Sequence, residues 1–270
     1  MKFVIDKEQT LLEALITMNP DSSKNTLRGW VEKGRALVNG RPLLRCNDLV
    51  LKGDKLSLGN RVSFINDEIK VIYEDKHLIV IDKPEGLLSV STDYSDDSNV
   101  HRILKNRFNK KVFPVHRLDR ETSGVMVFAY SELAKEHLKK LFYHHEITRE
   151  YIAIVEGHLQ KKKGTWESHL KEDPTYRVKS DPLGKLAITH YEVISESRHL
   201  TTLRVTLETG RKNQIRVHCS EAGNPIVGDK KYGSTRNSLG RMGLHAQKLG
   251  FVHPETGKKM LFESFSSITQ

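Results

Sequence analysis

His116-Arg117-Leu118-Asp119-Arg120-Glu121-Thr122-Ser123-Gly124 sets one carboxylate between two guanidinium groups in a turn-like segment. Opposite charges within a few ångströms favour the ionised form of a carboxylate. An ionised, fixed aspartate is what nucleophilic attack on an electrophilic carbon requires. On charge alone the commoner explanation is an ordinary surface ion-pair network, because carboxylates flanked by arginine are usually structural. The residues around the segment have to decide between the two.

Working outward, Val125-Met126-Val127-Phe128-Ala129 reads as a buried strand, Glu132 to Tyr143 as a helix and Tyr151-Ile152-Ala153-Ile154-Val155 as a further strand. Upstream lie strands at Ile69 to Tyr73 and Leu78 to Ile81 and a helix from Asn99 to Phe108. Downstream, Ala187 to Ile194 and Leu200 to Leu207 alternate as half-buried strands, Asn213 to Glu221 is helical, and Leu261 to Phe265 closes the sheet. The order lacks the regular strand-helix alternation of a doubly wound fold, so 69–270 is expected to be an α+β domain with a mixed, largely antiparallel sheet. Lys161-Lys162-Lys163 is expected to be a solvated loop tip.

The first 60 residues have their own pattern. Leu11, Leu12, Leu15 and Ile16 recur at helical spacing, as do Leu27, Trp30 and Val31, with Asn19-Pro20-Asp21-Ser22-Ser23 between them. The period then becomes strand-like through Ala36-Leu37-Val38, the turn Asn39-Gly40, and Val50 to Leu58. This predicts a small α/β domain over 1–60, a connector over 61–68, and a basic surface carrying Lys24, Arg28, Lys33, Arg35 and Arg41.

In bulk, 270 residues suffice for one sizeable core and a small appended module. Forty-four Lys and Arg against 34 Asp and Glu give a formal charge of +10, which suits a polyanionic partner such as RNA, DNA or an anionic membrane. No apolar run reaches the ~18 residues of a membrane span and the start lacks the apolar core of a signal peptide, so a cytoplasmic protein is expected. Cys46 and Cys219 are too few for a disulfide framework or a zinc spacing.

His-Arg-Leu-Asp at 116–119, followed after two residues by Thr-Ser-Gly, resembles the catalytic motif of the RluA-type pseudouridine synthases. Further segments share the resemblance: Asp82-Lys83-Pro84-Glu85-Gly86-Leu87, Arg149 to Gly157, Glu208 to His218, Gly228-Asp229-Lys230-Lys231-Tyr232-Gly233 and Leu244 to Leu249. It implies that Asp119 attacks a target uridine in RNA, that Tyr151 lies against the uracil, and that Arg216 pairs with the aspartate. Arg117 would occupy the place the flipped base vacates. His116, Leu118, Arg211, Lys212, Gln214 and Ile215 complete the expected substrate-binding set. His218 is expected to be a helix residue with a satisfied imidazole.

Trp30 to Gly40, with Gly53-Asp54 downstream, is similar to the S4 RNA-binding module, although Thr10 to Leu15 departs from the Arg-Leu-Asp usual in its first helix. Synthases with such a module commonly act on large-subunit ribosomal RNA and those without it more often on transfer RNA. Ribosomal RNA is therefore the expected partner, transfer RNA the alternative, and the protein is expected to work as a monomer without a cofactor.

Two other classes compete. A non-catalytic RNA-binding protein would keep the basic face and lose the motif residues, which are all present. A metal-dependent nuclease would need ligands, and His116, Asp119, Glu121, His144, His145 and Asp229 lack any metal-binding spacing. No phosphate-cradling glycine motif or dinucleotide fingerprint occurs either.

Overall fold

A computed structural model of the chain describes all residues except 1, 33, 44, 60–62, 66–68, 92–98, 109–110, 267 and 269–270. It divides into two compact units, Met1–Phe64 with Phe265–Ile268, and Ile65–Ser264. By sequence pattern Phe265–Ile268 is expected with the larger domain.

In the small unit, strands β1 (Lys2–Val4), β2 (Gln9–Thr10), β3 (Ala36–Val38), β4 (Arg41–Pro42), β5 (Leu49–Val50) and β6 (Lys55–Leu58) accompany helices α1 (Leu11–Met18) and α2 (Lys24–Glu32). A four-stranded sheet runs β1-β6-β3-β4, and β2 pairs with β5. Thr10 and Glu13 form a capping box at the start of α1, satisfying two backbone N–H groups. The residues that depart from the S4 pattern thus have a local job. Asn39 and Gly40 both take positive φ, 52° and 83°, as the tight turn between β3 and β4 demands. Leu11, Leu15, Leu27, Val31 and Leu56 bury the apolar faces together. Of the cations assigned to this surface, Lys24, Arg28 and Arg41 are exposed. Arg35 lies over the Trp30 ring at 4.9 Å, and Lys33 falls outside the described residues.

After β7 (Ser63–Ile65) come β8 (Ile69–Glu74), β9 (Leu78–Lys83), α3 (Val100–Phe108), β10 (Phe113–Pro114), β11 (Ser123–Ala129), α4 (Glu132–Tyr143) and β12 (Thr148–Glu156). Then follow β13 (Lys163–Glu172), β14 (Val178–Ser180), β15 (Lys185–Glu196), β16 (Leu200–Leu207), α5 (Gln214–Glu221), β17 (Leu244–Val252) and β18 (Lys259–Glu263). The sheet runs β14-β13-β15-β16-β12-β17-β11-β9-β8, with β10 on β11 and β18 on β17. Among the strand pairs whose register is described, β11 and β17 alone run parallel, so the expected largely antiparallel α+β architecture is what forms.

β11 is buried along its whole length. One of its faces packs with Ile79, Ile81 and Leu104, the other with Leu138 and Phe251. Gly124 (φ 120°) lies against β17 so closely that a Cβ there would come 2.2 Å from Ala246 O. The seam between the two halves of the sheet passes directly beside the 116–124 segment. Lys161 and Lys162 are exposed as the loop-tip reading has them, but Lys163 opens β13 and pairs with Glu192 at 2.6 Å.

Candidate active site

The chain turns at Arg120–Glu121, where Thr122 N–H donates to Asp119 O (3.2 Å) before β11 begins. Ser89 holds this segment in place, its hydroxyl donating to Leu118 O (2.7 Å) and accepting from Leu118 N–H (3.1 Å). Beneath the turn, Lys83 is fully buried and donates from Nζ to the carbonyls of Pro84 (2.8 Å), Leu87 (2.7 Å) and Arg120 (3.2 Å). Gly86 N–H donates to Arg120 O (2.8 Å) and Arg120 Nε–H donates back to Gly86 O (3.0 Å). The Asp82–Leu87 turn is therefore a brace under the motif.

That brace corrects the simple reading of Asp119 between two arginines. Arg120 Nε–H is engaged with Gly86, and among the described residues Arg117 forms no ion pair with Asp119. The counter-charge comes from Arg216 on α5, whose Nη1 donates to Asp119 Oδ2 at 3.1 Å. Asn213 Nδ2 donates to the same oxygen at 2.6 Å. Among the described residues no group donates to Oδ1.

Arg216 is itself clamped, donating through Nε (2.7 Å) and Nη2 (2.8 Å) to the two oxygens of buried Asp229. A planar guanidinium matched to a carboxylate in this way is directionally fixed, which a single contact does not achieve. Burial works against the Arg216 charge, but hydrogen bonds and charge from Asp229, and then Asp119, hold its pKa above the ordinary arginine value. Glu121 adds a longer contact to Nη1 at 3.4 Å.

Asn213 precedes α5 with φ 53°, a left-handed backbone that costs an L-residue energy and clusters at functional sites. Its side-chain oxygen accepts from Tyr232 O–H (3.1 Å), which turns the amide N–H₂ toward Asp119. By sequence Asn213 is only a helix start, and Asp229 is part of a structural segment and a metal-ligand candidate that lacks the spacing. The positional signal was there for Asn213, since asparagine favours helix starts and tolerates positive φ. Nothing local could have paired Asp229 with Arg216.

Asp119, Arg117, Leu118, Tyr151, Arg211 and Ile215 are among the residues lining a cavity of about 220 Å³. Burial raises the Tyr151 hydroxyl, with Arg149 opposing and the Asp119 charge adding to the shift. Among the described residues that hydroxyl has no hydrogen-bond partner. The remaining expected site residues divide by what their polar atoms do. Arg117 is exposed at the rim, and Arg211 donates from Nε to Leu186 O (2.9 Å). Lys212 reaches to Glu172. Gln214 lines the cavity, but its amide is engaged by Thr209, Arg211, Ile188 and Thr189, so it presents a wall.

His116 accepts from Val127 N–H through Nε2 (3.1 Å) and stacks on Phe142. Burial lowers its pKa to about 3, with Arg149 adding to the shift, so the ring is neutral. His218 is satisfied by Thr189 (2.8 Å) and Ser168 (3.1 Å), as expected. Among the described residues no three His, Cys, Asp or Glu side chains gather in a metal-holding group, and no helix is long and apolar enough to cross a membrane.

Residues 77–221 match the family model for RNA pseudouridylate synthase. The chain is 34% identical over 279 residues to the ribosomal large subunit pseudouridine synthase D of Escherichia coli K12, covering 93% of this chain and 85% of that protein. It is also 34% identical over 283 residues to the protein of that name from Pseudomonas aeruginosa, covering 95% and 88%. An uncharacterized RNA pseudouridine synthase of Bacillus subtilis is 33% identical over 258 residues, covering 90% and 85%. Among solved structures, human RNA pseudouridylate synthase domain containing 1 superposes with a TM-score of 0.62 at 23% identity, covering 73% of this chain and 83% of that one. At that identity the superposition speaks for the fold.

Proposed function

The chain belongs to the RNA pseudouridylate synthase family, of RluA type, and from that premise we propose that it isomerises uridines in large-subunit ribosomal RNA with Asp119 as nucleophile. The observation that carries the catalytic assignment is the asymmetry of one carboxylate. Oδ2 is held by Arg216 and Asn213, Oδ1 receives no hydrogen bond among the described residues, and Asp119 lines the cavity with Tyr151.

Isomerising uridine means breaking the N-glycosidic bond, rotating the freed uracil and joining its C5 to the ribose before water intervenes. Oδ1 is the atom that attacks C6 of the ring or C1′ of the sugar, or assists elimination to a glycal; the geometry serves each route. Arg216 stabilises the carboxylate without moving, because Asp229 already orients it, and such preorganised charge is strongest where water is scarce. The Tyr151 ring offers the uracil a stacking face, and its free hydroxyl is the group at hand to take or relay the C5 proton. The uridine must leave its stack to reach the cavity, at a cost of a few kcal/mol that favours loops and bulges. Arg117 at the rim is suited to fill the vacated position.

The small unit serves as an S4-like arm whose exposed Lys24, Arg28 and Arg41 contribute sequence-independent phosphate contacts. In this reading residues 1–60 are the arm, 61–68 the connector and 69–270 the catalytic domain, and the protein acts as a cytoplasmic monomer. The names of these relatives, which specify the ribosomal large subunit, support the ribosomal reading.

Mapping pseudouridines in total RNA from cells with and without the protein tests the proposal. Loss of one or a few sites in large-subunit ribosomal RNA is expected, and loss confined to transfer RNA would move the substrate. Asp119→Asn should abolish product while RNA binding is retained. Substantial turnover by that variant would remove Asp119 from its role.

A further inference from the structure

A second cavity of about 590 Å³ adjoins the first, sharing Arg117, Tyr151 and Arg211 as walls. Its volume lies within the ~300–1,000 Å³ typical of ligand pockets. Among the described residues no carboxylate lines it, whereas Arg117, Arg149, Arg211 and His145 do.

Arg149 is the unusual member. It stands two residues before Tyr151 on β12, at the edge of a bulge between Glu150 and Tyr151 in the pairing with β17. Its side chain is more than nine-tenths buried. Nη2 donates to the carbonyls of Leu207 (3.3 Å) and Glu208 (2.9 Å), yet among the described residues buried Nε has no acceptor and no acid forms an ion pair with the group. Burial lowers its pKa from the ordinary arginine value, with only Tyr151 opposing. Arg216 lies at similar depth and is held by Asp229 and Asp119. Leaving a buried cation without a counter-ion is costly, and the chain keeps room for it: a Cβ on Gly210 would come 2.6 Å from Arg149 Nη1.

Rings flank the group. The Arg149 guanidinium lies 6.0 Å from the Phe142 centroid, and Tyr143 beside it is 78% exposed. Burial lowers the pKa of His145, with the Arg149 and Arg211 charges adding to the shift and Glu208 opposing it.

Resting on the reading of the first cavity as the uridine site, we propose that this second cavity is an anion subsite in which Arg149, with Arg117 and Arg211, receives the RNA phosphodiester next to the target uridine. Arginine suits the task because its planar donors match phosphate oxygens. The phosphate would supply the missing counter-charge for Arg149, and Tyr143 is set at the mouth for the neighbouring base to stack on.

The test measures binding of unmodified large-subunit ribosomal RNA transcript across a salt series. Relative to wild type, Arg149→Met should lower the slope of log affinity against log salt by about 0.7–0.9, the share of one phosphate contact. It should raise KM by about tenfold or more with kcat little changed, the loss of one charge-assisted contact. Arg149→Lys should keep the slope and recover most of the KM. Because the buried change can impair folding, the wild-type protein is also titrated with UpUpU and with its uncharged methylphosphonate analogue. The analogue is expected to bind about tenfold more weakly. Equal binding of the two trinucleotides, or an unchanged slope in a folded Arg149→Met protein, overturns the subsite. Pseudouridine formation in the same transcript is scored separately. An Arg149-dependent slope without product leaves the subsite standing and removes the isomerisation, whereas product with an Arg149-independent slope removes the subsite alone.

Discussion

In the small unit Lys24, Arg28 and Arg41 stand in solvent, while in the large unit Arg216 and Arg149 are 6% and 9% exposed and bonded to named acceptors. Glycines divide in the same way. A Cβ on Gly29 of α2 would meet nothing within 4 Å, whereas one on Gly124 would collide with the β17 backbone. The small unit does little to fix its charges, which would suffice for the phosphate contacts proposed for it, since these carry no sequence information. The cleft fixes Arg216, the cation on Asp119, because charge stabilisation in a reaction depends on groups that are already oriented.

The largest effect that would sharpen this contrast is Gly124→Ala. It should destabilise by more than about 4 kcal/mol or prevent folding, while Gly29→Ala should stabilise by about 0.5–1 kcal/mol. Chemical denaturation measures both, and a Gly124→Ala protein as stable as wild type would break the claim of a rigid seam. Next is Asp229→Asn, which leaves Arg216 buried with half its clamp. A loss of about 3–5 kcal/mol of stability is expected, with kcat down roughly a hundredfold as Arg216 loses its aim. If kcat holds in the folded variant, Asp229 does not orient the site.

A smaller change is expected from Lys24→Glu with Arg28→Glu. The salt slope of RNA binding should fall by about one or more, and turnover at saturating RNA should stay as it was. A drop in saturated turnover would show that the arm does more than hold RNA. Smallest is His116→Gln. With a folded pKa of about 3 against about 6.5 unfolded, the unfolded chain binds the extra proton between these values. His116 therefore contributes stability that is complete above about pH 6.5 and lost as pH falls toward 3. Its replacement should flatten the acid limb of stability against pH by about one proton; an unchanged limb would mean that His116 is not held neutral.

Legibility in the sequence followed local pattern. Strands with an apolar core signature, such as Val125–Ala129, were readable because burial on both faces leaves a continuous apolar run. β13 was missed since most of Lys163–Glu172 is exposed or half-exposed and its alternation is carried mainly by polar and small residues, with Trp166 and Leu170 the only large apolar ones. β17 was quoted only as a motif segment, and its His245, Gln247 and Lys248 interrupt the apolar run. It turns out to pair with β11, β12 and β18 at the centre of the sheet. At the site, Asp119, Tyr151 and Arg216 were accessible through the family resemblance. Asn213 and Arg149 were quoted in passing, because neither residue type is diagnostic without its neighbours in space.

By itself the sequence determined that this protein carries a carboxylate at the head of a buried strand, a surplus of positive charge suited to RNA, and an α+β order of elements. These follow from residue type and spacing, which act over a few positions. Only the tertiary structure decided which cation answers Asp119. The adjacent Arg120 donates to Gly86, and Arg216, 97 residues on, donates to Asp119 while oriented by Asp229. The physical reason is that a charge finds its partner by distance and shielding from water, and a folded sheet sets both without regard to separation along the chain.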